Sequence, residues 1–267
     1  MQKLMPIFIL LFSLTANAQQ ENWDTYIANY DGKPGTTIID MGIRSIAPIT
    51  KFPFVLITGV KYTNCDKDGF PTKAEFEKLY IISDTIGAKL KSLSPNRMAG
   101  TFTYDCERLD YYYLSDTLNI RKKLADVYEK QFKAYTYYIN IKVDKAWAAY
   151  LEFLYPNEIT QEYMSNQKVL NGLLDAGDKL VAARQVDHWA YFKTEKDRNC
   201  FIQVVKKLGY KIEEASADKK SQLPYKLQFS RNDKVELTAI TTITLQLRKE
   251  ANNCNGDYDG WETVVIK

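Results

Sequence analysis

Cys254-Asn-Gly-Asp-Tyr-Asp-Gly-Trp-Glu-Thr-Val-Val-Ile-Lys267 decides how the C-terminal half of the chain is read. Gly256 and Gly260 bracket Asp257 and Asp259, which can bond their own backbone, and Trp261 to Ile266 supply strand-forming side chains. The reading is a tight turn into a final strand. Working outward, Asp233 is predicted to cap a helix running to about residue 252, and residues 210–215 and 225–230 read as strands joined by a lysine-rich loop. Thr194 caps an earlier helix with Asp197 at the reciprocal position. Phe201, Ile202, Val205 and Leu208 then share one face until Gly209. Residues 186–193 make the strand before it, so the order is β-α-β-β-α-β.

Residues 167–175 are predicted as a further helix, and the polar stretch 157–166 as the boundary between two halves. The N-terminal half begins with a hairpin around Asp31-Gly-Lys-Pro-Gly35. An apolar strand over 52–62 follows, then a helix over 74–93 with Thr72 as cap and Glu75 three positions on. Strands over 98–105 and 108–114, a helix over 118–134 and a strand over 136–143 come next. Asp144 is predicted to open a helix that Pro156 stops. Without its hairpin this half also reads β-α-β-β-α-β. The expected fold class is therefore α+β, two ferredoxin-like domains with antiparallel sheets, over residues 19–158 and 159–267.

Residues 1–18 are expected to be a cleaved signal peptide. Lys3 supplies a positive start, Leu4 to Leu14 an apolar run too short to span a bilayer, and Ala16-Asn17-Ala18 a peptidase site. Export to the periplasm or the exterior follows, with no membrane insertion after cleavage. The 36 basic and 33 acidic side chains nearly balance, which argues against nucleic acid as a partner. Tyrosine is common at 19, but Tyr111-Tyr112-Tyr113 and Tyr135, Tyr137 and Tyr138 lie in strand-like surroundings. They read as strand packing rather than as a stacking platform for bases.

Asp187-His-Trp-Ala-Tyr-Phe192 and the Asp257 to Thr263 run, in that order, resemble the regulator of ribonuclease E activity B (RraB) family. That resemblance implies a small, non-catalytic, protein-binding domain. Trp23-Asp-Thr-Tyr26, Gly69-Phe-Pro71, Gly100-Thr-Phe-Thr103, Arg108 before Asp110-Tyr-Tyr112, and Phe153-Leu-Tyr-Pro156 resemble domain-of-unknown-function family 695, which brings a fold and no catalytic residues.

Chemistry is sparse. His188 is the one histidine, so a histidine-rich metal site is excluded, and a nucleophile would have a single candidate imidazole. Asp187 beside it permits a general base on paper; the structural alternative is a histidine bonded to a carboxylate or to backbone. Asp66-Lys-Asp-Gly69 and the aspartates near the C-terminus read as turns, because the glutamate and following helix of a calcium loop are missing. No cofactor is expected. In the ferredoxin-like order Cys65 and Cys106 fall at one end of the first sheet, while Cys200 and Cys254 share an end of antiparallel helices. One disulfide in each half is expected; four unpaired thiols are the alternative.

Two functional readings remain. One is a binding module for an unknown protein of the cell envelope, using Trp189, Tyr191, Asp257, Tyr258, Asp259, Trp261 and Glu262. It rests on alternation, which puts Trp189 and Tyr191 on the sheet face away from the helices. The turn reading sets Trp261 near Phe192, about 13 Å along the strands from His188 at about 3.3 Å per residue. The other reading is an envelope hydrolase using His188 with nearby carboxylates.

Overall fold

The computed structural model describes residues 21–267, so the expected signal peptide lies outside the described residues. The chain divides into two compact units after Tyr155. Each is a mixed α+β unit built on one antiparallel sheet.

In the first unit, β1 (Trp23–Tyr30) and β2 (Lys33–Asp40) form a hairpin. Its turn is shorter than expected. Asp31 and Gly32 both take positive φ, 48° and 86°, so a two-residue turn suffices and Tyr30 pairs with Lys33. A 3-10 turn (Met41–Ser45) leads to β3 (Phe54–Lys61), α1 (Lys73–Lys91), β4 (Asn96–Tyr104), β5 (Glu107–Leu114), α2 (Ile120–Gln131) and β6 (Thr136–Val143). The sheet order is β1-β2-β4-β5-β3-β6, every neighbouring pair antiparallel.

Leu79, Ile82, Ile86 and Leu90 recur at helical spacing along α1. With Leu124, Val127 and Tyr128 of α2 they bury Leu56, Val60 and Tyr112 of the sheet. On the strand face away from Tyr112, the ring of Tyr113 stacks on Trp147 at 3.6 Å between centroids. The expected helix after Asp144 is a single π-helical stretch, Ala149–Leu154. Here Asp144 accepts from the amides of Ala148 and Ala149 and from the hydroxyl of Tyr113, which locks that turn instead of propagating an α-helix. Many of the tyrosines are packing residues, several with bonded hydroxyls: Tyr26 donates to the carbonyl of Leu154, and Tyr150 to that of Asp40. Thr72 makes no capping bond through its side chain, and the Glu75 carboxylate that the reciprocal bond would need is held by Asn64 and Tyr135.

The second unit begins with α3 (Glu158–Asp175), whose first half is the polar stretch predicted as a boundary. Then come β7 (Arg184–Phe192), α4 (Glu195–Lys207), β8 (Lys211–Ala217), β9 (Tyr225–Asp233), α5 (Leu237–Asn253) and β10 (Gly256–Thr263). The sheet order is β10-β7-β9-β8, again all antiparallel. Thr194 caps α4 through the amide of Asp197 as expected. Glu236 rather than Asp233 caps α5, since Asp233 is engaged by Arg231. The core lies between the sheet and α4 and α5, with Ala190, Phe192, Phe201, Leu227, Phe229 and Leu247 at its centre.

Cys65 is bonded to Cys106 and Cys200 to Cys254, with Cα separations of 5.7 and 5.8 Å. Sequence separations of 41 and 54 residues correspond to about 4 kcal/mol of loop-closure entropy each. Removal of the second bond by Cys200→Ser with Cys254→Ser is expected to lower the stability of this unit by about 2–4 kcal/mol in urea titrations, and native protein should react with no thiol reagent until reduced. Ready alkylation without reductant would contradict the pairing.

Candidate functional site

Strand β7 alternates strictly: Val186, His188, Ala190 and Phe192 are buried, whereas Asp187, Trp189 and Tyr191 are half-buried on the opposite face. That opposite face carries Gln228 and Lys226 of β9 across from Trp189 and Tyr191. On the other side it meets β10, where the expected turn is strand. Gly256 pairs with Phe192, Asp257 with Tyr191, and Tyr258 with Ala190; a bulge at Asp259 then shifts the register so that Trp261 pairs with His188. The predicted separation of His188 and Trp261 is therefore wrong: they are direct neighbours, because the strand begins five residues earlier than its turn-forming composition suggests.

The bulge divides the predicted binding residues. Asp257, Asp259 and Glu262 are exposed, and Glu262 lies opposite Asp187. Gly260 lies opposite Trp189 with open space where a Cβ would be. Tyr258 and Trp261 are not surface residues, at 1% and 9% exposure. Trp261 donates from Nε1 to Oδ1 of Asn166 at 2.7 Å, and the amide of Asn166 donates in turn to Thr241 and Thr244 of α5. Tyr258 places its hydroxyl 2.8 Å from Nδ1 of His188. Both are anchors of the core.

His188 is fully enclosed, with Phe229 stacked at 5.3 Å and Tyr210 edge-on at 5.5 Å. Its Nε2 has no partner. Burial, reinforced by the charge of Arg231, pushes its pKa down to about 3, so the ring is neutral at pH 7. Asp187 points to the other face, where Gln185 and Gln228 donate to it. The partner of the histidine is thus a tyrosine hydroxyl, not a carboxylate or backbone, and it has no access to a substrate proton. Asp66 closes its own turn by accepting from the amides of Asp68 and Phe70.

Arg248 was not visible from the sequence. It bridges Glu162 on α3 to the carbonyl of Tyr258 and lies 5.5 Å from the ring of Tyr258. The only sequence trace of this contact is the spacing of Glu162, Asn166, Leu170 and Leu173, which share a buried side of α3.

Residues 21–155, just over half of the chain, match the Family of unknown function (DUF695). The chain belongs to that family. Beyond the DUF695 region, residues 164–263 match Regulator of ribonuclease activity B, which covers the sheet face described above. No curated protein matches the chain. A crystallised unknown protein from Galdieria sulphuraria aligns over 79% of this chain and 99% of its own at 11% identity, with a TM-score of 0.20.

The buried histidine of this DUF695 protein gives a pH dependence with a definite sign. Its folded pKa of about 3 lies below the unfolded value of 6.5, so the unfolded chain binds the extra proton first. The stability it confers is complete above pH 6.5 and falls as pH drops toward 3. Between pH 7.5 and 5.0 the native protein is expected to lose about 2 kcal/mol more than a His188→Phe variant in urea titrations. Equal losses would show that the ring is not buried neutral.

Proposed function

We infer that this chain is an exported, non-catalytic binding module that presents the helix-free face of its second sheet to a protein of the cell envelope. The observation that carries this reading is the pair Trp189 and Tyr191, half-buried on a face with no helix of its own, bordered by Asp257, Gly260 and Glu262. Large aromatics in such a position supply contact area with little loss of side-chain freedom. The alternative of a hydrolase finds no support in an enclosed, neutral histidine without a carboxylate neighbour.

Both units are read as ferredoxin-like. In each, the strand following the second helix lies beside the first strand of the β-α-β-β-α-β unit, β6 beside β3 and β10 beside β7. The match to Regulator of ribonuclease activity B supports control by protein contact in kind. The ribonuclease itself is not proposed as the partner, because an exported chain would not meet it. Export is supported by the segment Ala16-Asn17-Ala18 and by two disulfides.

Two measurements test the reading. Mature protein from its host is expected to begin at Gln19; an intact mass that retains Met1 would refute export by this leader. Affinity capture from envelope extract with wild type and with Trp189→Ala plus Tyr191→Ala should give a bound protein that the double variant loses, while the variant keeps its fold with stability changed by about 1–2 kcal/mol. Undiminished capture by the folded variant would rule this face out.

A further inference from the structure

In the first unit a cavity of about 380 Å³ opens along the flank of α1, within the range of small-molecule sites. Its floor is Met98 of β4 and Tyr112 of β5, paired across the sheet. Tyr112 is 4% exposed, yet its hydroxyl has no hydrogen-bond partner among the described residues. Of the other buried tyrosines of this unit, Tyr113 bonds Asp144, Tyr128 meets Thr58 and Tyr150 bonds the carbonyl of Asp40, while Tyr111 also lacks a hydroxyl partner among the described residues but does not line this cavity. A phenol that opens on the cavity with no protein partner is free to donate to a group bound there.

Gly87 explains why that hydroxyl faces the cavity. A Cβ there would lie 3.0 Å from the hydroxyl oxygen, so its absence leaves a notch in the helix wall over Tyr112. Asp84 and Lys91 flank the notch on the same side of α1. They are opposite charges two helical turns apart, about 10 Å along the axis, too far to neutralise one another. Neither makes an ion pair or hydrogen bond among the described residues. Arg97, also on the wall, is already paired with Asp40 at 2.5 Å. At the mouth Trp23 is 40% exposed, its Nε1 donating to Glu21.

We propose that this cavity binds a short peptide-like zwitterion two or three residues long, with its ammonium at Asp84 and its carboxylate at Lys91. Two or three extended residues span about 7–10 Å, which matches the separation of the two charges; a single amino acid is too short to reach both. The hydroxyl of Tyr112 donates to a ligand carbonyl between them, and an apolar ligand side chain rests on Trp23 and Met98. The site belongs to a different unit from the Trp189 face, so either proposal can fail without the other.

The test is isothermal titration of the mature chain with the tripeptide Ala-Phe-Ala, with its N-acetyl form and with its C-terminal amide. Free Ala-Phe-Ala is expected to bind saturably. Either cap, Asp84→Asn or Lys91→Gln should weaken it about tenfold or more. Both substituted side chains are exposed, so the fold should persist. Tyr112→Phe keeps the ring and should weaken binding about three- to tenfold. No saturable heat from Ala-Phe-Ala up to about 10 mM, or affinities unaffected by the caps and by Asp84→Asn and Lys91→Gln, would overturn the proposal.

Discussion

Gly256 lies flat against the ring of Phe192, so close that a Cβ would sit 2.1 Å from a ring carbon. Phe192 cannot yield, because it is fully buried and packed on Phe201 at 5.5 Å. Only glycine can begin β10 at this point. Two residues upstream, the bond between Cys254 and Cys200 fixes the end of α5 against α4. The start of the last strand is thus pinned both covalently and sterically, and its register against β7 follows.

From that register the polar interior is assembled. Tyr258 meets the imidazole of His188, which would otherwise have both nitrogens buried without a partner. The bulge at Asp259 advances the chain by one residue, so Trp261, three positions on, faces inward as Tyr258 does. Its indole then reaches Asn166 and through it two threonines of α5. Each bond contributes about 1 kcal/mol net, yet losing one member leaves buried partners unsatisfied at greater cost. The network therefore does more to set where α3 sits than its summed energy suggests.

Periodicity made the strands and helices legible, and their order made the cysteine pairs legible, because those signals are local or depend only on topology. The failures share a cause. Asn-Gly-Asp before Tyr258 has the composition of a turn, but pairing with β7 across the sheet overrides that preference. Thr72 with Glu75 has the spacing of a capping box, but Tyr135, distant in sequence, takes the carboxylate. The polar run 157–166 lies next to the division between the units but reads as irregular rather than helical because Glu162 and Asn166 are polar; it is the first half of α3, both side chains are buried, and their partners Arg248 and Trp261 lie about ninety residues away. Local composition cannot report a partner that only the fold supplies.

The bulge also decides which way Tyr258 and Trp261 face and what the surface is instead. With uninterrupted alternation, residues 258 and 261 would face opposite ways, and one aromatic would join Trp189 outside. With one residue inserted, both turn inward, and β10 offers Asp257, Gly260 and Glu262 to the outer face. Carboxylates and a bulge on the outermost strand disfavour pairing with another strand along that edge. Contact through the backbone is thereby discouraged where contact through side chains is open. The missing side chain at Gly260 leaves the space beside Trp189 unfilled, so the outer face carries the aromatic pair at its middle and the carboxylates at its border.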